Sequence, residues 1–190
     1  MKIRAGQLLL ERPGLIFILF LGMGINLVGY YIVYWLELPL FLDSMGTFLA
    51  AAVLGPWLGA ACGFFSNLLI GLIDNPVMIP FALVNIVIGI IVGLFSLHFR
   101  FRSLFVVIIG ALVSALVSSL LGTVITVFVF GGVSGGVIDA FVAGMATSGR
   151  EIFSSTFLVR LPVNIGDKLF SAFLIWIFLL LFPERWKGYA

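Results

Sequence analysis

The chain has 190 residues, 63% of them apolar and 9% charged, with a mean hydropathy of +1.30. Soluble domains carry about 25% charged residues, so a chain of one domain's length with this composition has the bilayer for its solvent. A net charge of +2 excludes the dense basic stripe that nucleic-acid binding needs. A single cysteine, Cys62, and a single histidine, His98, exclude an intrachain disulfide, a thiolate cage and a histidine-built metal site.

A helix needs about 20 apolar residues to cross the hydrocarbon. The stretches 13–36, 44–73, 75–97 and 103–130 hold no Asp, Glu, Lys, Arg or His, and a further apolar run covers 169–183. The first run ends in Tyr30, Tyr31, Tyr34 and Trp35, an interfacial belt rather than the small-residue cleavage site of a signal peptide. The second run as one helix of 30 residues would reach about 45 Å, beyond a core of about 30 Å. Gly55-Pro56 in its middle reads as the end of one helix and the first turn of the next. The expectation is an all-α integral membrane protein with six transmembrane helices, near 13–36, 38–54, 56–73, 76–97, 103–130 and 162–183. The stretch 131–161, opening with Gly131, Gly132, Gly135 and Gly136, is expected to be an outer loop with a short helix lying on the protein.

Six spans with both termini cytoplasmic place Lys2, Arg4, Arg12, Arg100, Arg102, Arg185 and Lys187 inside, against Arg150, Arg160 and Lys168 outside. Five spans give a weaker bias. Glu37, Asp43, Asp74, Asp139, Glu151 and Asp167 then cluster outside. Acids contribute little to orientation, so this cluster asks for another explanation.

Helix packing is visible as small residues at every fourth position: Gly55, Gly59, Gly63, Asn67 and Gly71; Asn85, Gly89 and Gly93; Gly110, Ser114, Ser118, Gly122 and Thr126. Polar residues within apolar runs point to a cavity or a partner rather than to lipid. Arg160, Asn164, Asp167 and Lys168 share one face of the last helix, where they serve either a ligand or a salt-bridged interfacial anchor. Asn67 and Asn85 suit interhelical hydrogen bonds. Asp43-Ser44 reads as a helix N-cap, and Asp74-Asn75-Pro76 as a turn. Tyr30 and Tyr31 point in different directions, and Tyr31 is the candidate to face a cavity. There is no HExxH, Walker loop or GxSxG, so no catalytic residue, metal or cofactor is expected. With tails of about a dozen residues, no attached soluble module is expected.

The stretch Leu38-Pro39-Leu40-Phe41-Leu42-Asp43-Ser44-Met45-Gly46-Thr47, with Ala50-Ala51-Ala52-Val53-Leu54-Gly55-Pro56-Trp57-Leu58-Gly59-Ala60, resembles the substrate-binding S components of energy-coupling factor (ECF) transporters. The resemblance continues through Gly71-Leu72-Ile73-Asp74-Asn75-Pro76 and Pro80-Phe81-Ala82-Leu83-Val84-Asn85 to Pro162-Val163-Asn164-Ile165-Gly166-Asp167-Lys168. It implies a plasma-membrane subunit that captures a vitamin-like small molecule at the outer face. Its partner would be an ECF module of one transmembrane coupling subunit and two ATPases. Riboflavin-binding members of that family use Asn and Lys near the start of the last helix, which Asn164 and Lys168 match in type. The substrate-binding candidates are therefore Asn164, Lys168, Asp167, Asn85, Asn67, Asp43 and Tyr31. Gly22, Asn26 and Gly29 are the nearest equivalents of the family's small-residue docking pair. A membrane sensor domain and a self-sufficient secondary carrier are the competing expectations, and a membrane enzyme is disfavoured by the missing motifs.

Overall fold

The computed structural model describes residues 13–99 and 103–181. The basic residues Lys2, Arg4, Arg12, Arg100, Arg102, Arg185 and Lys187, and the last two residues of the expected final span, lie outside them. Seven helices form among the described residues: α1 (Pro13–Leu36), α2 (Met45–Leu54), α3 (Pro56–Ile73), α4 (Met78–Phe99), α5 (Leu104–Phe128), α6 (Ile138–Thr147) and α7 (Ile152–Leu181). Five of them, α1, α3, α4, α5 and α7, are long and apolar enough to cross a membrane. Their outward faces carry large apolar side chains, among them Phe17, Phe20, Phe105 and Phe128. Such a surface suits lipid and not water.

The segment 38–54 departs from the expected second span. Only Met45–Leu54 is helical, about 15 Å long, and 38–44 is an irregular wall. Every residue from Gly46 to Leu54 is buried, so α2 is a central strut rather than a lipid-facing helix. Non-helical backbone at such depth is tolerated where protein surrounds it. α1 and α3 run parallel: the Cys62 thiol lies against the Leu19 carbonyl, and Ser66 bonds Asn26 further along both helices. α2 returns the chain between them. It turns into α3 at Gly55, whose φ of 86° favours glycine, followed by Pro56 in the first helical turn.

Close backbone approach holds this half together. A Cβ on Gly46 would overlap the Gly22 carbonyl oxygen, one on Gly59 would overlap Ala51, and one on Gly93 would overlap Pro56. Without a hydrophobic drive between helices in lipid, such contacts supply the dispersion that lateral packing needs.

The last helix begins ten residues before the expected start near Pro162. Proline lacks only its own N–H and tolerates a helix interior in a membrane bundle, where neighbours satisfy the freed carbonyl. The stretch 131–161 is thus shared: α6 is a short helix within it, and 152–161 extends α7. The Asp139 carboxylate accepts from the backbone N–H groups of Ser134 (2.7 Å), Gly135 (2.6 Å) and Gly136 (3.2 Å), which folds the glycine loop onto α6.

Candidate functional site

A cavity of about 540 Å³ opens at the end of the bundle where α1 and α5 finish and α4 and α7 begin. This size falls within the range of small-molecule pockets. Its walls come from the last turns of α1, the 37–43 segment, the start of α4, Ser118 and Gly122 of α5, the glycine loop, and Arg160, Asn164 and Lys168 of α7. At about 45 Å, α7 exceeds the hydrocarbon thickness. Its length accommodates this polar row as well as an apolar second half.

Of the sequence candidates, Asp43, Asn85, Asn164 and Lys168 line the cavity. Asp167 lies behind the wall. Its carboxylate accepts the Leu42 N–H at 2.9 Å and pairs with the Lys168 ammonium. Lys168 also donates to Ser44 Oγ at 2.8 Å. Together the two residues clamp the 42–44 backbone, which carries Leu42 at a left-handed φ of 48°. A non-glycine residue is strained in that region, and the structure around it must hold it there. Lys168 is 2% exposed and Asp167 fully buried, and each meets the other's charge within the chain.

Asn67 is buried beneath the site. It accepts from Asn85 Nδ2, and its own amide donates to the Met78 carbonyl at 3.3 Å. Asn85 also donates to the Asp43 carbonyl at 3.1 Å. Tyr31 meets Tyr30 edge to face and Trp35 at a tilt and does not line the cavity; Tyr30 does, with its hydroxyl donating to Asp74 at 3.2 Å. The choice of Tyr31 is thereby corrected to Tyr30. Neighbouring helix positions differ by about 100° in direction, so only the packing tells which one faces in.

Ser44 stands at the N-cap of α2, as the sequence predicts, but its side chain does not bond the free N–H groups of the first turn. Asn26 of α1 does so from a distance, its Oδ1 accepting the N–H of Gly46 (2.7 Å) and Thr47 (3.3 Å). These lie in the first turn, where helix donors have no partner of their own. Its Nδ2 donates to Thr47 Oγ1 (2.9 Å) and Ser66 Oγ (3.0 Å), so the amide uses its full capacity. Gly22, Asn26 and Gly29 therefore face inward, against Gly46, Thr47 and Leu42. As a docking face for another subunit they are corrected: the face is already occupied by α2 and the segment before it.

Arg160 shares the candidates' helical face but was not among the binding candidates. It lines the cavity, is 3% exposed, and has no carboxylate within ion-pair distance among the described residues. Its Nη2 donates to Thr126 Oγ1 (2.6 Å) and Ser134 Oγ (3.3 Å), while Nε is buried without a partner. The guanidinium carbon lies 5.5 Å from the Phe41 ring centre and 5.1 Å from that of Phe81. The one sequence signal was its place in the i, i+4, i+8 row with Asn164 and Lys168.

No group of three or more potential metal ligands occurs among the described residues. The polar groups that line the cavity are the Asn75, Asn85 and Asn164 amides, the Tyr30, Tyr34, Ser118 and Ser134 hydroxyls, the Glu37 and Asp43 carboxylates and the Arg160 and Lys168 cations. Comparison with protein-family models, with curated proteins and with solved structures finds no match to this chain in any of the three.

Proposed function

We propose that the chain is the substrate-binding subunit of an ATP-driven importer of the ECF type, set in the plasma membrane with its cavity outward. The observation that carries this reading is the cavity of about 540 Å³ at one end of the bundle, walled in part by the 37–43 segment and the glycine loop and lined mainly by apolar side chains, with Asp43, Asn85, Arg160, Asn164 and Lys168 among them. A vitamin or related micronutrient of that size would be enclosed on most sides. The resemblance of 38–60 and 162–168 to S components supports the same assignment, although no relative supports it. Parallel α1 and α3 joined by the returning 38–54 segment, with α4, α5 and α7 following, favour an even number of crossings and hence both ends on one side, which the bias of Lys and Arg toward those ends makes the cytoplasmic one.

Uphill uptake then requires a separate ATP-hydrolysing module. Reconstitution in liposomes with and without an ECF module, with ATP on the cytoplasmic face, tests this. The expected result is ligand binding by the chain alone and accumulation only with module and ATP. Accumulation by the solitary chain under an ion gradient would replace the reading with a secondary carrier. The docking contact with the module would fall on outward-facing surface and not on the Gly22–Asn26–Gly29 face.

A further inference from the structure

We infer that α6 is an interfacial helix, its exposed face set in the bilayer boundary at the cavity's end of the bundle, with Phe141 in lipid. The inference goes beyond the importer reading and needs only that the long helices cross a membrane. α6 holds one charged residue, Asp139, and its carboxylate is taken up by the backbone N–H groups of the glycine loop. Ile138 and Val142 are buried, and α6 packs chiefly against α7. The rest of its circumference is open and carries Ala140, Phe141, Ala143 and Gly144, with Phe141 59% exposed. A helix with one side in water carries charged and polar residues on that side, and one that is apolar all round belongs in protein or lipid.

The surroundings say which of the two covers it. No charged residue lies between Leu104 and Ile138. The lipid-facing end of α5, where Phe128 and Val129 are exposed, therefore runs through exposed Val133 into α6 without a charge. After α6, the first turns of α7 expose Ile152, Phe153 and Leu158. From 131 to 161 the exposed charged residues are Arg150 and Glu151, adjacent in the turn between the two helices. Tyr34 and Trp35, both exposed, line the same cavity as Ser134 to Ile138, so these segments share one end of the bundle. Tyrosine and tryptophan collect at the lipid–water boundary, and a short apolar face gains by burial in that layer. A protein partner fits less well: a face about 15 Å long and about 10 Å wide is far below the about 800 Å² per partner of a stable protein contact. Through Asp139, α6 also holds Ser134, Gly135 and Gly136, which line the cavity. Lipid contact at Phe141 thus steadies a wall of the site.

The probe is a nitroxide attached to Phe141→Cys or Val133→Cys of the full chain in phosphatidylcholine nanodiscs, with Arg150→Cys as the aqueous reference. Cys62 is wholly buried and offers no competing thiol in the folded chain. Collision with molecular oxygen, which partitions into lipid, is compared with collision with a nickel chelate, which stays in water. The oxygen-to-nickel ratio should be severalfold higher at Phe141 and Val133 than at Arg150. Adding Phe141→Asp to the Val133→Cys chain should lower its ratio toward that of Arg150. A ratio at Phe141 equal to that at Arg150 overturns the inference and puts α6 in water. Spin–spin broadening at Phe141 overturns it in favour of a second copy of the chain on this face. A Val133 ratio indifferent to Phe141→Asp overturns the link between lipid contact and the wall. The singly labelled comparison stands even if the doubly altered chain fails to fold. Failure of ligand binding or of module-dependent uptake leaves these ratios untouched, so this inference and the importer reading fall separately.

Discussion

The two halves of the bundle treat buried polar groups in opposite ways. Among α1 to α4, Asn26, Thr47, Ser66, Asn67 and Ser96 are tied to one another or to backbone carbonyls, and Asn85 Oδ1 is the buried side-chain atom left over among the described residues. Between α5 and α7, Ser114, Ser118, Thr123, Ser155 and Ser171 keep buried hydroxyls without partners, as does Arg160 at Nε. The first half is a scaffold in which each donor specifies one neighbour. The second mixes bonded polar groups, among them Ser119, Thr156 and Asn164, with several whose hydrogen-bonding capacity is unused. Such capacity is costly in an empty site and useful in one that closes on a ligand.

The contrast is most open to attack at Gly46. Alanine there would overlap the Gly22 carbonyl, so α1 and α2 must part. We expect a loss of about 3 kcal/mol, the upper end for overpacking, read as a large fall in the melting temperature of the detergent-solubilised chain. A melting temperature equal to that of the unaltered chain would show that this half yields more readily than its packing implies. Asn26→Ala comes next. It strands the Gly46 and Thr47 N–H groups, and we expect a loss of about 2 kcal/mol, measured by the same melt.

The α5–α7 interface should respond less. Thr126→Val removes the nearer of the two oxygens that Arg160 donates to, and should cost about 1.5 kcal/mol. Ser114→Ala removes a hydroxyl that bonds nothing, and should change stability by less than about 0.5 kcal/mol. A large loss from Ser114→Ala would reveal a partner for that hydroxyl and erase the difference between the halves.

Much of the fold is legible from composition because lipid imposes a one-dimensional rule: apolar runs of sufficient length cross, and small residues at every fourth position mark close packing. The runs containing α1, α3, α4 and α5 and the turn at Gly55-Pro56 follow from it. So does the polar row Arg160, Asn164, Asp167 and Lys168, because helical spacing alone brings those residues onto one face. What that row does is decided by residues far away in the chain. Leu42 and Ser44, over 120 positions earlier, receive Asp167 and Lys168 and convert them into a clamp. Phe41, Phe81 and Gly122 surround Arg160, and Thr126 and Ser134 accept its hydrogen bonds. The side chain that bonds the first turn of α2 likewise belongs to Asn26 and not to the N-cap residue Ser44. Periodicity reports which face a residue occupies, but satisfying a buried charge or amide needs partners in three dimensions, and only the packed bundle brings them together.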